Sequence, residues 1–175
     1  MSDVLAVLAK YPPDCRFTDI EPLGFAGGMS GAQFWRVAAR RDVLVLRRWP
    51  IEHPTPDRLT FIHAVLRHAA ARGCDFLPVP ITTPAGESFI TSANHLWELA
   101  PWMPGAANYN QSPRLEKLQA TMRALAQFHA AVEDFAAHPT APGSAGGSNA
   151  VQRHLVRLQQ LTPERVDELS RAIRP

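Results

Sequence analysis

The feature that most constrains this chain is an abrupt change in composition near residues 104 and 105. Proline and glycine are frequent up to Gly105, whereas neither occurs between residues 114 and 138. All four tryptophans also precede Gly105. Because proline and glycine interrupt helices and mark turns, we expect strands and turns before this point and helices after it. The sequence therefore predicts two lobes, residues 1–104 and residues 105–175.

Overall composition limits the class of protein. Of the 175 residues 46% are hydrophobic and 19% are charged, a charged fraction below the roughly 25% of typical soluble domains, which argues against disorder. The net charge is only +2 and the basic residues are scattered, so neither a nucleic acid nor a membrane is an expected partner. Two cysteines and the absence of a signal peptide or long apolar stretch predict a cytoplasmic protein.

The first lobe has the pattern of an α+β fold. We expect strands at residues 17–25, 32–39 and 43–49, an extended segment at 77–81, and a hairpin of 87–92 with 95–99, turning at Ala93-Asn94. A helix at residues 3–10 precedes the strands. A second helix is predicted between Thr55-Pro56 and Gly73, because a threonine cap, a proline in the first turn and a glycine after the last turn mark helix ends. Its apolar stripe comprises Leu59, Ile62, Leu66 and Ala69.

The second lobe is predicted to be helical. A helix of about 20 residues should start at Ser112-Pro113, since apolar side chains recur there every three or four positions. Its stripe comprises Leu115, Leu118, Met122, Leu125, His129 and Val132. We interpret His129 as a hydrogen-bonded core histidine. Two further helices are expected at residues 151–161 and 162–173, after a flexible stretch at residues 139–148.

Three segments of the chain suit a nucleotide. Glycines between residues 24 and 31 would let backbone N–H groups approach a phosphate, although an ordinary hairpin turn also fits, and neither a Walker nor a Rossmann motif is present. Strand alternation places Arg47 on one face with Val45, and Arg48 on the other. An arginine side chain can donate two hydrogen bonds to phosphate oxygens. The alternative is that both guanidinium groups extend into solvent.

The third segment is aromatic and proline-rich and spans residues 96–105. A flat ligand such as adenine can bind at such a junction between lobes, and an aromatic core strand running into a loop is the alternative. We interpret Glu98 as ion-paired or exposed rather than catalytic.

Together these segments resemble the small lobe of the aminoglycoside phosphotransferase and choline kinase group, which has a protein-kinase-like fold. The resemblance rests on Gly27-Gly28-Met29-Ser30-Gly31, Phe34-Trp35-Arg36-Val37, Leu44-Val45-Leu46-Arg47-Arg48, Leu77-Pro78-Val79-Pro80, Trp102-Met103-Pro104-Gly105 and Leu125-Ala126-Gln127-Phe128-His129. It implies an antiparallel sheet of about five strands with one packed helix, followed by the first helices of a large lobe.

The resemblance also implies a binding site and an activity. Residues Gly27, Gly28, Met29, Ser30 and Gly31 would cover the phosphates of ATP. Arg47 would reach the α and β phosphates, Val45 would lie over the adenine, and the backbone around Leu99, Ala100 and Trp102 would hydrogen-bond its edge. The implied reaction transfers the γ-phosphate of ATP, accompanied by Mg²⁺, to a hydroxyl of a small substrate.

Two departures from the family limit this expectation. Ile62 and His63 stand where the family has a glutamate that pairs with the strand lysine or arginine. The catalytic His-Gly-Asp motif and the later metal-binding aspartate are missing, since the only aspartates after Gly105 are Asp134 and Asp167, both on predicted helices. We therefore assign no catalytic or metal-binding residue, and expect the N-terminal portion of a phosphotransferase that is inactive alone. A non-catalytic module that binds a nucleotide or a protein is the alternative.

Overall fold

The computed structural model describes residues 2–15, 17–24, 30–40, 42–106 and 108–135. Helix α1 (Ser2–Leu8) and a 3-10 turn at Pro13–Cys15 come first. The remaining elements, in chain order, are β1 (Phe17–Gly24), β2 (Gln33–Ala39), β3 (Val43–Arg48), α2 (Pro56–Ala71), β4 (Ile90–Ser92), β5 (His95–Pro101) and α3 (Leu115–Val132). The predicted α+β class is confirmed.

The expected antiparallel sheet of five strands is confirmed, and its strand order is β1-β2-β3-β5-β4. The β4–β5 turn at Ala93 and Asn94 has positive φ angles of 49° and 60°, which suit a tight two-residue hairpin. β4 is shorter than the predicted residues 87–92. Its first residues instead close a turn, because the N–H of Thr83 donates to the carbonyl oxygen of Glu87 at 2.8 Å.

One face of the sheet carries the main hydrophobic core. Leu44 and Leu46 of β3 and Trp97 and Leu99 of β5 point to this face and are buried. Helix α1 covers them with its own buried side chains, Val4, Val7 and Leu8. The helix that completes this core is therefore the short N-terminal one, and the opposite face of the sheet is left for other contacts.

Helix α2 begins and ends where the sequence predicts. The hydroxyl of Thr55 accepts a hydrogen bond from the N–H of Arg58, and Pro56 occupies the first turn. Gly73 follows the last turn with a φ of 92°, a conformation that glycine adopts at little cost. In the predicted stripe Leu59 and Ala69 are buried and the other two residues are half-buried. His63 is buried as well, which the stripe does not predict.

Helix α3 differs from its prediction in two respects. It starts at Leu115 rather than after Ser112, whose carbonyl oxygen instead accepts a hydrogen bond from Lys117 Nζ at 2.9 Å. The interpretation of His129 as a core residue is wrong, because its side chain is exposed. The side chains that pack near Ala69 and Cys74 are those of its neighbours Phe128, Ala131 and Val132.

Backbone contacts group Met1–Ala136 into one compact unit and Ala137–Pro175 into another. The lobe boundary at residues 104 and 105 stays a prediction. The flexible stretch at residues 139–148 and the helices predicted at residues 151–161 and 162–173 lie outside the described residues. Among the helices that the structure describes, none has the length and apolar character needed to span a membrane.

Candidate functional site

The second face of the sheet combines small apolar side chains with charged ones. Val45 of β3 lies opposite Ala100 of β5 on one side and Arg36 of β2 on the other. Two positions along β3, Arg47 lies opposite Glu98 of β5 and Phe34 of β2. We call this surface the Arg47 face; its members are Phe34, Arg36, Val45, Arg47, Glu98 and Ala100. It lies opposite the core that α1 covers.

The guanidinium group of Arg47 is held from three sides. Its Nη1 lies 2.8 Å from Glu98 Oε1, and its Cζ lies 5.1 Å from the ring centre of Phe34 and 4.8 Å from that of Trp49. Aromatic rings at such distances attract the cation. The side chain is nevertheless 31% exposed. Its Nε is buried and has no acceptor within the described part of the chain, so the group is fixed in place with hydrogen-bonding capacity left over.

Glu98 is buried and accepts hydrogen bonds from several donors. Oε2 lies 2.8 Å from His63 Nε2 and 3.1 Å from Trp49 Nε1. Oε1 accepts from Arg47 Nη1 at 2.8 Å. Burial by itself would raise the pKa of Glu98, but the hydrogen bond from His63 and the charge of Arg47 outweigh it and hold that pKa below its usual range. The carboxylate is therefore ionised at neutral pH.

His63 connects this ion pair to helix α2. Because an ionised carboxylate only accepts hydrogen bonds, His63 must donate to Glu98 through Nε2. The other ring nitrogen, Nδ1, lies 2.9 Å from the hydroxyl of Ser88. The histidine ring is thus satisfied at both nitrogens, and α2 is joined through it to the sheet.

Arg48 lies on the other face, as strand alternation predicts. Its guanidinium group hydrogen-bonds the side chain of Gln33 and lies over the rings of Trp35 and Trp97, with Cζ 6.0 and 5.6 Å from their centres. Neither arginine simply extends into solvent, so that alternative does not describe the structure.

The residues expected to contact adenine have mixed surroundings. Ala100 is buried opposite Val45 on the Arg47 face, whereas the side chain of Leu99 is in the α1 core. The carbonyl oxygen of Leu99 accepts from the N–H of Ile81 at 2.8 Å, and the N–H of Trp102 donates to Val43 at 2.9 Å. These two backbone groups are therefore already used inside the protein.

The glycine-rich loop is described only in part. Gly27, Gly28 and Met29 lie outside the described residues, whereas Ser30 and Gly31 are within them. Gly31 lines a cavity of about 190 Å³ together with Gln33, Arg48 and Pro50. Arg47 is not among the residues that line this cavity.

The comparison with protein families decides the classification of the chain. A family model described as the phosphotransferase enzyme family matches residues 19–174, which is most of the sequence. The chain belongs to the phosphotransferase enzyme family. A comparison with curated proteins found no match.

Solved structures of phosphotransferases share the fold of this family member. The aminoglycoside phosphotransferase from Alicyclobacillus acidocaldarius subsp. acidocaldarius is 18% identical, with a TM-score of 0.55 over 89% of this chain and 40% of its own. A spectinomycin phosphotransferase, solved with ADP and spectinomycin, is 10% identical, with a TM-score of 0.52 over 91% of this chain and 55% of its own. The chain thus spans about half the length of these structures or less, and the likeness shows the fold.

The interpretation of Glu98 as an ion-paired residue of this phosphotransferase family member is confirmed, but its partner, Arg47, was not predicted. The missing α2 glutamate predicts that the usual ion pair of Arg47 cannot form, yet Arg47 does pair with a glutamate, one that β5 supplies. A signal was available: β3 carries Arg47 and Arg48, β5 carries Glu98, and oppositely charged residues pair across neighbouring antiparallel strands. Using it required the strand register, which the sequence pattern does not specify.

The described residues contain no dedicated metal-binding cluster. Within that part of the chain, no three histidine, cysteine, aspartate or glutamate side chains come together in a group that could hold a metal ion. The one buried carboxylate on the Arg47 face, Glu98, is occupied by three protein donors. The metal that the resemblance implies therefore has no partner to name on this face.

Proposed function

We propose that this chain forms the nucleotide-binding part of an ATP-dependent phosphotransferase, which transfers the γ-phosphate of ATP to a hydroxyl of a small molecule. The observation that carries the proposal is the state of Arg47. Its guanidinium group is fixed by an ion pair and two aromatic rings, yet the side chain stays 31% exposed and its Nε has no acceptor among the described residues.

A fixed and incompletely satisfied guanidinium group suits a phosphate chain. Arginine carries five N–H donors in a planar fork that matches phosphate oxygens. Glu98 accounts for contact at one terminal nitrogen. Because the side chain is already ordered by its neighbours, a phosphate would bind it with little further loss of conformational freedom.

The same face offers an apolar surface for a base. Val45 and the small side chain of Ala100 lie directly opposite each other across β3 and β5, beside the exposed ring of Trp102. Leu99 and Trp102 have one backbone group each engaged within the protein, but none of the backbone hydrogen bonds in the described residues involves Met103. We therefore place the edge of the adenine against the backbone of Met103, next to the predicted positions.

The substrate class and the inactivity of the isolated chain belong to the same proposal. The spectinomycin phosphotransferase with a similar fold is described with ADP and a small molecule bound, which supports a nucleotide and a small acceptor. Phosphoryl transfer also needs groups that orient the acceptor and hold Mg²⁺, and the His-Gly-Asp motif that would supply them is missing from the sequence. We propose binding of ATP, accompanied by Mg²⁺, without turnover by these 175 residues alone.

Isothermal titration of the full chain with ATP tests the proposal. We expect Arg47→Ala to weaken ATP binding about 10-fold or more, because a hydrogen bond to a charged group is worth about 1.5–3 kcal/mol. Arg72→Ala is the matched control, since it also removes one positive charge but lies at the end of α2, paired with Asp134. It should leave the affinity unchanged.

Two results would contradict the proposal. Equal affinity in the Arg47→Ala variant and the unaltered chain would remove Arg47 from the site. No ATP binding by a folded, unaltered chain would favour the alternative of a protein-binding module.

A further inference from the structure

We propose that Glu98 is a positioning residue, which orients Arg47 for the nucleotide and replaces the missing glutamate of helix α2. The inference rests on the proposed function, because it assumes that Arg47 contacts phosphate. It adds a residue that neither the sequence motifs nor the family resemblance assigns to the site.

The two carboxylate oxygens of Glu98 have different partners. Oε2 is held by His63 Nε2 from α2 and by Trp49 Nε1 from the segment after β3. These two donors fix the orientation of the carboxylate. Oε1 is then directed at Arg47 Nη1, 2.8 Å away. A carboxylate that is anchored through one oxygen and offers the other defines where the guanidinium group lies.

Trp49 strengthens this arrangement because it contacts both members of the pair. Its indole N–H donates to Glu98, and the face of its ring lies 4.8 Å from the guanidinium carbon of Arg47. Phe34 contacts the same guanidinium group at 5.1 Å. The rings restrict motion of the guanidinium group, and the carboxylate selects one position for it.

Helix α2 thereby keeps a connection to Arg47 without a glutamate of its own. His63 donates to the buried carboxylate of Glu98, and Glu98 contacts Arg47. His63 on the helix, Glu98 on β5 and Arg47 on β3 thus form a chain of contacts that connects the helix to the arginine, as a direct ion pair would.

A positioning role and a purely electrostatic role predict opposite effects. If Glu98 only neutralised Arg47, removing its negative charge would strengthen binding of the anionic nucleotide. If Glu98 orients Arg47, its removal leaves the guanidinium group free to move and weakens binding. The second outcome is the one that the anchored geometry of the carboxylate supports.

The test is a double-mutant cycle on the full chain, with ATP titrated into the unaltered protein, Glu98→Gln, Arg47→Ala and the double variant. We expect Glu98→Gln to weaken ATP binding about 3- to 10-fold, a typical range for coupled neighbours, and to have no further effect when Arg47 is already alanine. Asp134→Asn is the matched control, because it removes one carboxylate from an exposed arginine pair at the end of α2. It should leave the affinity unchanged.

A second measurement keeps the inference testable if Glu98→Gln does not fold. Side-chain ¹⁵N NMR of the unaltered chain should show slow rotation of the Arg47 guanidinium group, assigned by its loss in Arg47→Lys, and faster rotation of the more exposed Arg36. Free rotation of Arg47 would overturn the inference.

The cycle also separates failure of the inference from failure of the proposed function. Unchanged or tighter ATP binding in folded Glu98→Gln, or an equal loss in the Arg47→Ala background, would overturn the positioning role while leaving ATP binding intact. No effect of Arg47→Ala itself would instead overturn the proposed function.

Discussion

At the scale of single residues, Glu98 makes the stability of the fold depend on pH. Its pKa is lower in the folded state than its usual value of 4.5, so the unfolded chain binds the proton more readily. The resulting stabilisation is fully present above pH 4.5 and is lost as pH falls through the lowered pKa. A buried carboxylate with three donors thus acts as a structural group only while it is ionised.

Glu98→Gln should remove this dependence. We expect the substitution to lower the free energy of unfolding at neutral pH by about 1–3 kcal/mol, because it weakens charge-assisted hydrogen bonds in a buried site. The difference between the two proteins should shrink as pH falls from 4.5 through the lowered pKa of Glu98. Urea unfolding followed by tryptophan fluorescence at a series of pH values measures it. An undiminished difference at low pH would contradict the assignment of the effect to the ionised carboxylate.

The face on which a side chain lies could be predicted from its own strand, whereas its partner on the neighbouring strand could not. Alternation within β3 correctly separates Arg47 from Arg48, because successive side chains of a strand point to opposite faces. The partner of Arg47 depends on which residue of β5 lies opposite, and strand register is set by the assembled sheet. The buried His63 is likewise explained only by Glu98, which is 35 residues away in the chain.

At the scale of elements, helix α2 shows that residues close to a helix end can specify where the helix begins and ends. Thr55, Pro56 and Gly73 are read from the sequence alone, and the structure places the helix between them. The similar signal at Ser112-Pro113 does not start α3, which begins at Leu115. Lys117 Nζ instead donates to the carbonyl oxygen of Ser112 and to Asn108 Oδ1. A serine followed by proline therefore does not by itself specify the first residue of a helix.

The cap of α2 gives an element-scale prediction. Thr55→Ala should lower the free energy of unfolding by about 1 kcal/mol, because it removes the acceptor for the N–H of Arg58. Thr60→Ala is the matched control on the same helix, since its exposed hydroxyl donates only to a carbonyl oxygen of the preceding turn. It should change stability by less than about 0.5 kcal/mol. Thermal unfolding of both variants compares them, and equal losses would contradict the capping role.

At the scale of the whole molecule, the described residues form a sheet with two differently used faces. One is closed by α1 and holds the core, and the other presents Arg47 with its buried partners. The α+β class and the ends of helix α2 follow from patterns along the sequence, and the five-stranded antiparallel sheet follows from the family resemblance, whereas the strand order was not predicted. The apolar stripe of α3 is also predicted from the sequence, and in the structure its residues Leu115, Leu118, Met122 and Leu125 are exposed.

That stripe leads to a prediction about association of the chain in solution. Leu115, Leu118, Met122 and Leu125 are exposed by 64%, 43%, 54% and 44%, and their spacing places them along one side of α3. A continuous apolar surface of this kind favours association between copies. We expect the chain to self-associate in analytical ultracentrifugation at micromolar concentration.

Combined Leu118→Gln and Met122→Gln substitutions should shift the chain toward monomer with little change in melting temperature, because both side chains are already exposed. Ala126→Gln is the control, since it adds the same polar group at an exposed position of the same helix without removing a large apolar side chain, and it should leave association unchanged. A monomeric unaltered chain with a sharp thermal transition would show that the exposed stripe does not drive association.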